Sequence, residues 1–268
     1  MKVSGKVFLV TGAGSGMGRE MTLELVRRGA RVAAVDIHET TLGQTRELAG
    51  AAPSAIALFA CDITDVQAIE KLPAQIANAM GSIDGLINNA GIIQPFVPIS
   101  QLTREQAQKV MDVNFWGAFT LIKTFLPLLA ARPEAHILNV ASMGAYAPVP
   151  GQSLYGASKA ALKLLTEGLR SELLDTNIGV TVAFPGAVAT NITKNSGISV
   201  PTPSNQAKEF PTLAADKAAK IMIDAIEQKK ARITVGKDAR MMDRLSRLNP
   251  VMAANIIYKQ MKNLLPRR

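Results

Sequence analysis

At 268 residues, 48% of them hydrophobic and 19% charged, the chain has the composition of a soluble globular protein with one large core and at most two domains. A single cysteine, Cys61, excludes an internal disulfide framework and a zinc cluster built on several cysteines. The net charge of +9 does not argue for nucleic acid, because residues 237–268 hold eight Lys/Arg against two Asp, and an electrostatic partner would have to meet that tail.

The first apolar run, Lys6 to Thr11, meets a glycine-rich turn by Gly12 instead of the cleavage site of a targeting segment. No apolar stretch approaches the ~20 residues that span a bilayer, so a cytoplasmic location is expected. Strands are predicted at Lys6 to Thr11, Arg31 to Ile37, Ala55 to Cys61, Gly85 to Asn88, Ala135 to Ala141, Gly179 to Phe184 and Arg232 to Val235. Helical periodicity fills the intervals at about 17–29, 39–50, 65–80, 103–131, 153–176 and 214–228. Strict alternation implies right-handed βαβ crossovers and one parallel, doubly wound α/β sheet with helices on both faces. The runs "FLV", "VAAV" and "ILNV" lack polar alternation, as burial on both faces requires. Residues 187–213, rich in Pro, Gly, Ser, Asn and Thr, follow a strand end and read as a substrate lid.

"TGAGSGMG", Thr11 to Gly18, joins the first strand to the first helix. It departs from G-x-G-x-x-G, since position 17 is Met, but Gly12, Gly14, Gly16 and Gly18 let backbone N–H groups approach a phosphate at a helix N-terminus. Asp36 ends the second strand, where a carboxylate can bind the two hydroxyls of an adenine ribose and repel a 2′-phosphate. Neither Ser15 nor Ile37 supplies a compensating cation, so NAD is preferred over NADP. Asp62, before Ile63 at the end of the third strand, suits either the adenine amino group or the N-cap of the next helix.

Tyr155 and Lys159 lie at i and i+4 on a predicted helix and share one face. Bringing a tyrosine from near pKa 10 to about 7 to 8 needs roughly 3 to 4 kcal/mol of anion stabilisation, much of which a nearby ammonium can supply. Tyr155 would then serve as general acid or base, with Ser142, at the close of the fifth strand, holding the substrate oxygen beside it.

Taken in order, Thr11-Gly-x-x-x-Gly16-x-Gly18, "NNAG" at Asn88 to Gly91, Asn114 in "MDVNFWG", Ser142, Tyr155-x-x-x-Lys159 and Pro185-Gly186 followed by Thr190 resemble the short-chain dehydrogenase/reductase family, over about residues 5–236. The resemblance implies a seven-stranded Rossmann-like domain over residues 1–236 and a catalytic set of Asn114, Ser142, Tyr155 and Lys159. It implies that Lys159 also holds the nicotinamide ribose and that Asn114 anchors a proton-relay water. By the same resemblance Gly12, Ser15, Gly16, Met17 and Gly18, then Asp36, Ile37, Asp62, Ile63, Asn89, Ala90 and Gly91, hold the NAD cofactor. Tyr155, Lys159, Pro185, Gly186, Val188 and Thr190 complete that set toward the nicotinamide, whose carboxamide would meet backbone near Val188. It also implies a homotetramer or homodimer.

His38 and His136 are expected at the surface and imply no metal site; Cys61 reads as a small buried residue and Trp116 as helix packing. An apolar pocket lining of Phe96, Val97, Met143, Ala145, Tyr146, Val149 and Phe210 favours a hydrophobic secondary alcohol or ketone. A 3-oxoacyl-thioester reductase is the alternative, and a non-catalytic NAD-binding regulator the alternative of another class. Residues 237–268 form a basic amphipathic tail with apolar positions 241, 242, 245 and 248, a break at Asn249-Pro250, and a second run from 252. Packing on the domain or a subunit is favoured for it over contact with a membrane surface.

Overall fold

The computed structural model describes residues 1–50, 52–198, 212–261 and 265. In chain order they form β1 (Val7–Thr11), α1 (Gly16–Arg27), β2 (Arg31–Asp36), α2 (Glu39–Ala49), β3 (Ile56–Ala60), α3 (Val66–Met80) and β4 (Gly85–Asn88). There follow α4 (Arg104–Met111), α5 (Gly117–Ala130), β5 (Ala135–Val140), α6 (Ser153–Glu172), β6 (Ile178–Pro185), α7 (Ile192–Asn195), α8 (Ala215–Glu227), β7 (Arg232–Val235), α9 (Lys237–Leu248) and α10 (Pro250–Met261). The seven strands form one parallel sheet in the order β3-β2-β1-β4-β5-β6-β7, the doubly wound architecture expected.

Every residue of β1 and of β5 is buried. Pleating sends Phe8 and Val10 into one core, with Met21 and Leu25 of α1, Leu42 of α2 and Met222 and Ile226 of α8. Val7 and Leu9 enter the other, with Ile69 and Leu72 of α3, Phe125 and Leu129 of α5 and Leu169 of α6. Burying a large aliphatic or aromatic side chain contributes about 1.5–3 kcal/mol, so continuous apolar strands suit only this three-layer arrangement. The strand order reverses between β1 and β4, the two strands themselves running parallel, which opens a crevice at their carboxyl ends.

The predicted helix over 103–131 is one helical run with a π-turn at Asp112–Trp116 between α4 and α5. The 27 residues Arg104–Ala130 have the length and composition of a membrane crossing, contrary to the sequence expectation, yet Leu121, Ile122, Phe125 and Leu129 pack in the core. Asp65, not Asp62, caps α3, accepting from the N–H groups of Gln67 and Ala68; Asp62 instead holds Thr64 through its backbone N and Oγ1, both at 2.8 Å.

Two expectations need correction. His136 lies inside β5, 1% exposed, with Nε2 2.7 Å from Thr181 Oγ1. Thr181 donates onward to the Lys230 carbonyl, which makes His136 Nε2 the donor. Burial pushes its imidazole down to about 3, so it is neutral at physiological pH. Trp116 is 49% exposed and stacks edge-on with Phe115 and Phe119.

The C-terminal helices pack on the domain. Pro250 opens α10 and Asn249 Oδ1 accepts from Met252 N, a helix start that explains the predicted break. Ala239 and Met242 of α9 and Ala253 and Ile257 of α10 are buried around Ala147, with Met143, Tyr146, Val149 and Leu245 beside them. Of the predicted apolar stripe, Met241, Leu248 and Met252 face outward instead. The lid expectation falls largely on residues 199–211, and Phe210 among them, outside the described residues.

Candidate active site

The crossover between β1 and β4 brings two distant motifs together. Thr11 Oγ1 accepts from the N–H groups of Asn89 (3.0 Å) and Ala90 (3.1 Å), while Asn89 Nδ2 donates to the Thr11 carbonyl at 3.0 Å. Gly12, at φ +68°, could carry no side chain, since a Cβ there would lie 2.8 Å from Asn89 Nδ2. The turn therefore lies flat against "NNAG" and keeps its backbone open above. Gly18 faces inward: a Cβ would overlap the Gly12 carbonyl, so its contribution is helix-to-turn packing.

Asp36 accepts from Gly14 N at 2.9 Å and from His38 N at 3.1 Å. Its carboxylate thus stands against the glycine turn, its remaining lone pairs available to hydroxyl donors. Arg19, a cation that the sequence reading did not weigh, donates to the Gly14 carbonyl and to Thr45 and Gln44, and does not line the cleft.

A cleft of about 870 Å³ follows this edge of the sheet. Of the residues predicted to hold a dinucleotide, it is lined by Gly12, Ser15, Gly16, Met17, Asp36, Ile37, Asp62, Ile63, Asn89, Ala90, Gly91 and Thr190. Its glycine cradle, its size and the carboxylate at its rim fit the adenosine and phosphate portions of a dinucleotide. Tyr155, Lys159, Pro185, Gly186 and Val188 lie outside this lining. The sequence reading missed Thr41, Gln108 and Val113, and also Asn191, Ile192, Asn195 and Ser196 on the segment after β6. That segment is tied across the cleft: Asn195 Nδ2 donates to Ser15 Oγ at 2.7 Å, and Ser196 Oγ accepts from Ile93 N at 3.0 Å.

The four side chains of the predicted catalytic set converge beyond β5. Ser142, two residues past the strand, accepts from Gly144 N at 3.0 Å. A Cβ on Gly144 would meet Tyr155 Cε1 at 3.3 Å and Ser142 Oγ at 3.5 Å, so the phenol ring and the hydroxyl flank one small space. Lys159 Nζ donates to the Val140 carbonyl at 3.0 Å. Asn114 Nδ2 donates to Ser158 Oγ and to the Ile92 carbonyl, both at 2.9 Å, and Oδ1 accepts from Ile92 N at 2.9 Å. With both amide protons used, the Asn114 side chain binds the β4–α4 loop to α6. The π-turn there is what aims it inward from a helix whose flanks are apolar. Gly91 is confined by the same pair, because a Cβ would sit 3.1 Å from both Asn114 Oδ1 and Lys159 Nζ.

The electrostatics differ from the sequence expectation. Burial raises the half-buried Tyr155 phenol above its ordinary value, and a hydrogen bond with Ser142 only partly opposes it. Burial also brings Lys159 down to about 8. Desolvation disfavours the charged form of each group, so the protein's own residues hold a neutral phenol beside an easily discharged ammonium.

One residue with no local signal orients this helix. Gln94, 1% exposed, accepts through Oε1 from the backbone N–H groups of Leu154 (2.7 Å) and Tyr155 (2.9 Å). It satisfies two of the free donors of the first turn of α6 and is held there by Gln152, which donates to its carbonyl at 2.7 Å.

Known proteins of one family share this sequence and fold. The family described as short chain dehydrogenase matches residues 6–199. A Mycobacterium tuberculosis (strain ATCC 25618 / H37Rv) protein named as an oxidoreductase, SadH, is 31% identical over 251 residues, 91% of each chain. A fatty acyl-CoA reductase of Acinetobacter baylyi is 33% identical over 232 residues, 86% of this chain and 76% of that protein. Among solved structures, a short-chain dehydrogenase/reductase from Burkholderia phymatum in complex with NAD aligns at TM-score 0.84 and 24% identity, over 94% of this chain and 96% of its own. A short chain dehydrogenase from Burkholderia cenocepacia J2315 in complex with NADP aligns at TM-score 0.80 and 26% identity, over 96% of this chain and 99% of its own. By its matched residues, its sheet order and its relatives, the chain belongs to the short-chain dehydrogenase/reductase family of oxidoreductases.

Proposed function

We propose that the protein is an NAD-dependent oxidoreductase acting on a hydrophobic secondary alcohol or ketone, with Tyr155 as its general acid and base. The observation that carries this reading is the convergence of Ser142, Tyr155, Lys159 and Asn114 beside a glycine-lined cleft that presents Asp36. The nicotinamide, when bound, gives or takes the hydride. Ser142 donates to the substrate oxygen and holds it beside the phenol. Tyr155 hands its proton to that oxygen in carbonyl reduction and takes a proton from it in alcohol oxidation. The phenolate so formed is stabilised by the Lys159 ammonium, one helical turn away on the same face. Asn114 and Gln94 act through α6, fixing where Tyr155 stands.

Asp36 supports NAD over NADP, because a 2′-phosphate would meet a carboxylate already fixed by Gly14 and His38. Asp36→Ala is expected to lower the preference for NAD over NADP, as a ratio of kcat/KM values, by roughly tenfold or more; an unchanged ratio in initial-rate assays would remove this argument.

A second reading, reduction of 3-oxoacyl thioesters, draws on the likeness to a fatty acyl-CoA reductase, whose name also points to an acyl thioester. A panel of secondary alcohols, ketones and 3-oxoacyl thioesters, run with both cofactors and followed by reduced-nicotinamide absorbance, separates the two. A protein that binds NADH but turns over nothing in the panel would be the regulator on the same fold.

We infer a cytoplasmic homotetramer or homodimer, in keeping with the free buried thiol of Cys61 and with the exposure of Trp116, Phe119 and Leu164 on neighbouring helices. Trp116→Glu with Phe119→Glu is expected to halve the mass at least in sedimentation velocity; a monomeric wild type would refute the assembly. Contact of the basic outer face of α9 and α10 with a membrane remains the less favoured reading, since their inner faces are already packed on the domain.

A further inference from the structure

The C-terminal helices lie outside the matched family residues, yet the first turn of α9 reaches both loops that border the reacting groups. Asp238 Oδ2 accepts from Ala187 N at 2.7 Å, a charge-assisted bond to the loop that follows β6. Its neighbour Ala239 accepts, through its carbonyl, from Tyr146 Oη at 2.9 Å, on the turn that begins at Ser142.

The slot for Asp238 is built for a carboxylate. A Cβ on either Gly186 or Gly236 would collide with its oxygens, and Gly236 holds φ +112°, which glycine tolerates. On the other side of the loop, Leu213 N donates to the Ala187 carbonyl at 2.8 Å and Ala189 N to the Leu213 carbonyl at 2.9 Å. In such a parallel bridge the N–H and C=O of Val188 point away from Leu213. The loop is thus pinned from two directions with the Val188 peptide groups turned outward. The anchor itself is stiff: Arg232 of β7 forks to Asp243 at 2.8 and 2.6 Å and lies 4.4 Å from the centre of the Phe184 ring.

We propose that the first turn of α9 is a two-point clamp on the active site, in which Asp238 is a positioning residue for the Ala187–Ala189 backbone and Ala239 steadies the Ser142 turn through Tyr146. Asp238 touches no reacting atom; it sets the position of the peptide groups that would meet the nicotinamide. The inference rests on reading that loop as the nicotinamide-binding one.

The test uses NADH and ADP-ribose, which lacks the nicotinamide, with the full-length protein. Wild type is expected to enhance and blue-shift NADH emission. Asp238→Ala should lose most of that enhancement and weaken NADH by about tenfold, while ADP-ribose affinity by calorimetry and the thermal midpoint stay near wild type. Asp238→Asn, which keeps an acceptor oxygen in the slot, should restore most of both. Tyr146→Phe should leave NADH emission and affinity unchanged and raise KM for whichever panel substrate is turned over. Wild-type NADH emission and affinity in Asp238→Ala would overturn the clamp alone. So would an equal loss of NADH and ADP-ribose binding with a lower midpoint, which would make Asp238 a general stabilising residue. A wild type that leaves NADH emission unchanged would overturn the nicotinamide reading of the loop and this inference with it.

Discussion

Tyr155→Phe will reduce turnover by on the order of a thousandfold, the scale of a lost general acid–base group, while leaving NADH affinity within twofold of wild type. The phenol ring shares a small space with Ser142 at the mouth of the Gly144 turn. Phenylalanine keeps the ring that packs on that turn and leaves the Gln94 bonds to the helix backbone intact. What disappears is the proton. Stopped-flow and steady-state rates on a panel substrate, with NADH titration in parallel, check both halves; a variant retaining rates within tenfold would show that another group moves the proton.

Lys159→Met is expected to separate activity from stability. Burial lowers the Lys159 amine from 10.5 to about 8, a shift worth about 3 kcal/mol against the folded state where the lysine is charged. The sign follows from proton counting. Between about 8 and 10.5 the unfolded chain binds more protons at this site than the folded one, so this residue makes stability rise with pH across that window. Below about 8 the cost is complete and constant. Methionine keeps the length of the side chain and removes the charge, so the variant should be more stable than wild type at pH 7 by about 1–3 kcal/mol, less whatever the bond to Val140 contributes. That gain should fade as pH approaches 10.5. Activity should move the other way, falling on the order of a hundredfold as phenolate stabilisation is lost. In the wild type the carbonyl-reduction rate should decline as pH climbs through about 8, and this limb should vanish in the variant. Urea midpoints at pH 7 and 10, beside pH–rate profiles, test this; a variant less stable at pH 7 by 2 kcal/mol or more would refute burial as the dominant influence on Lys159.

The two replacements describe one design. Tyr155 and Lys159 are each held in the form that burial penalises least or tolerates at a cost, and neighbouring groups make that tolerable: the Val140 carbonyl for the ammonium, Ser142 for the phenol. Gln94 fixes the helix start from 60 residues away. Its amide nitrogen and the Gln152 side-chain oxygen are buried and unpartnered among the described residues, so this corner is polar as well as rigid.

Much of this was open to reading from the linear sequence, and for local reasons. Unbroken apolar strands imply a sheet covered on both faces, and alternation with helical periods implies parallel crossovers; both depend on neighbours within about ten residues. The i, i+4 spacing of Tyr155 and Lys159, the glycines of the first turn and Asp36 at a strand end are local in the same sense. What the tertiary structure alone decided involves partners far apart in the chain. His136 is an ordinary-looking strand residue until Thr181 closes over it. Asn114 is a helix amide until the π-turn aims it at Ile92 and Ser158. The periodicity of the tail allowed several buried faces, and the choice fell on Ala239 and Met242 because Met143, Tyr146, Ala147 and Val149 offer an apolar complement there. Asp238 looked like one of two acids in a basic tail, and only the slot between Gly186 and Gly236 gives it a task. Local sequence encodes the period of an element and the chemistry it carries; which face turns inward, and which backbone group a side chain meets, is fixed by packing across the chain.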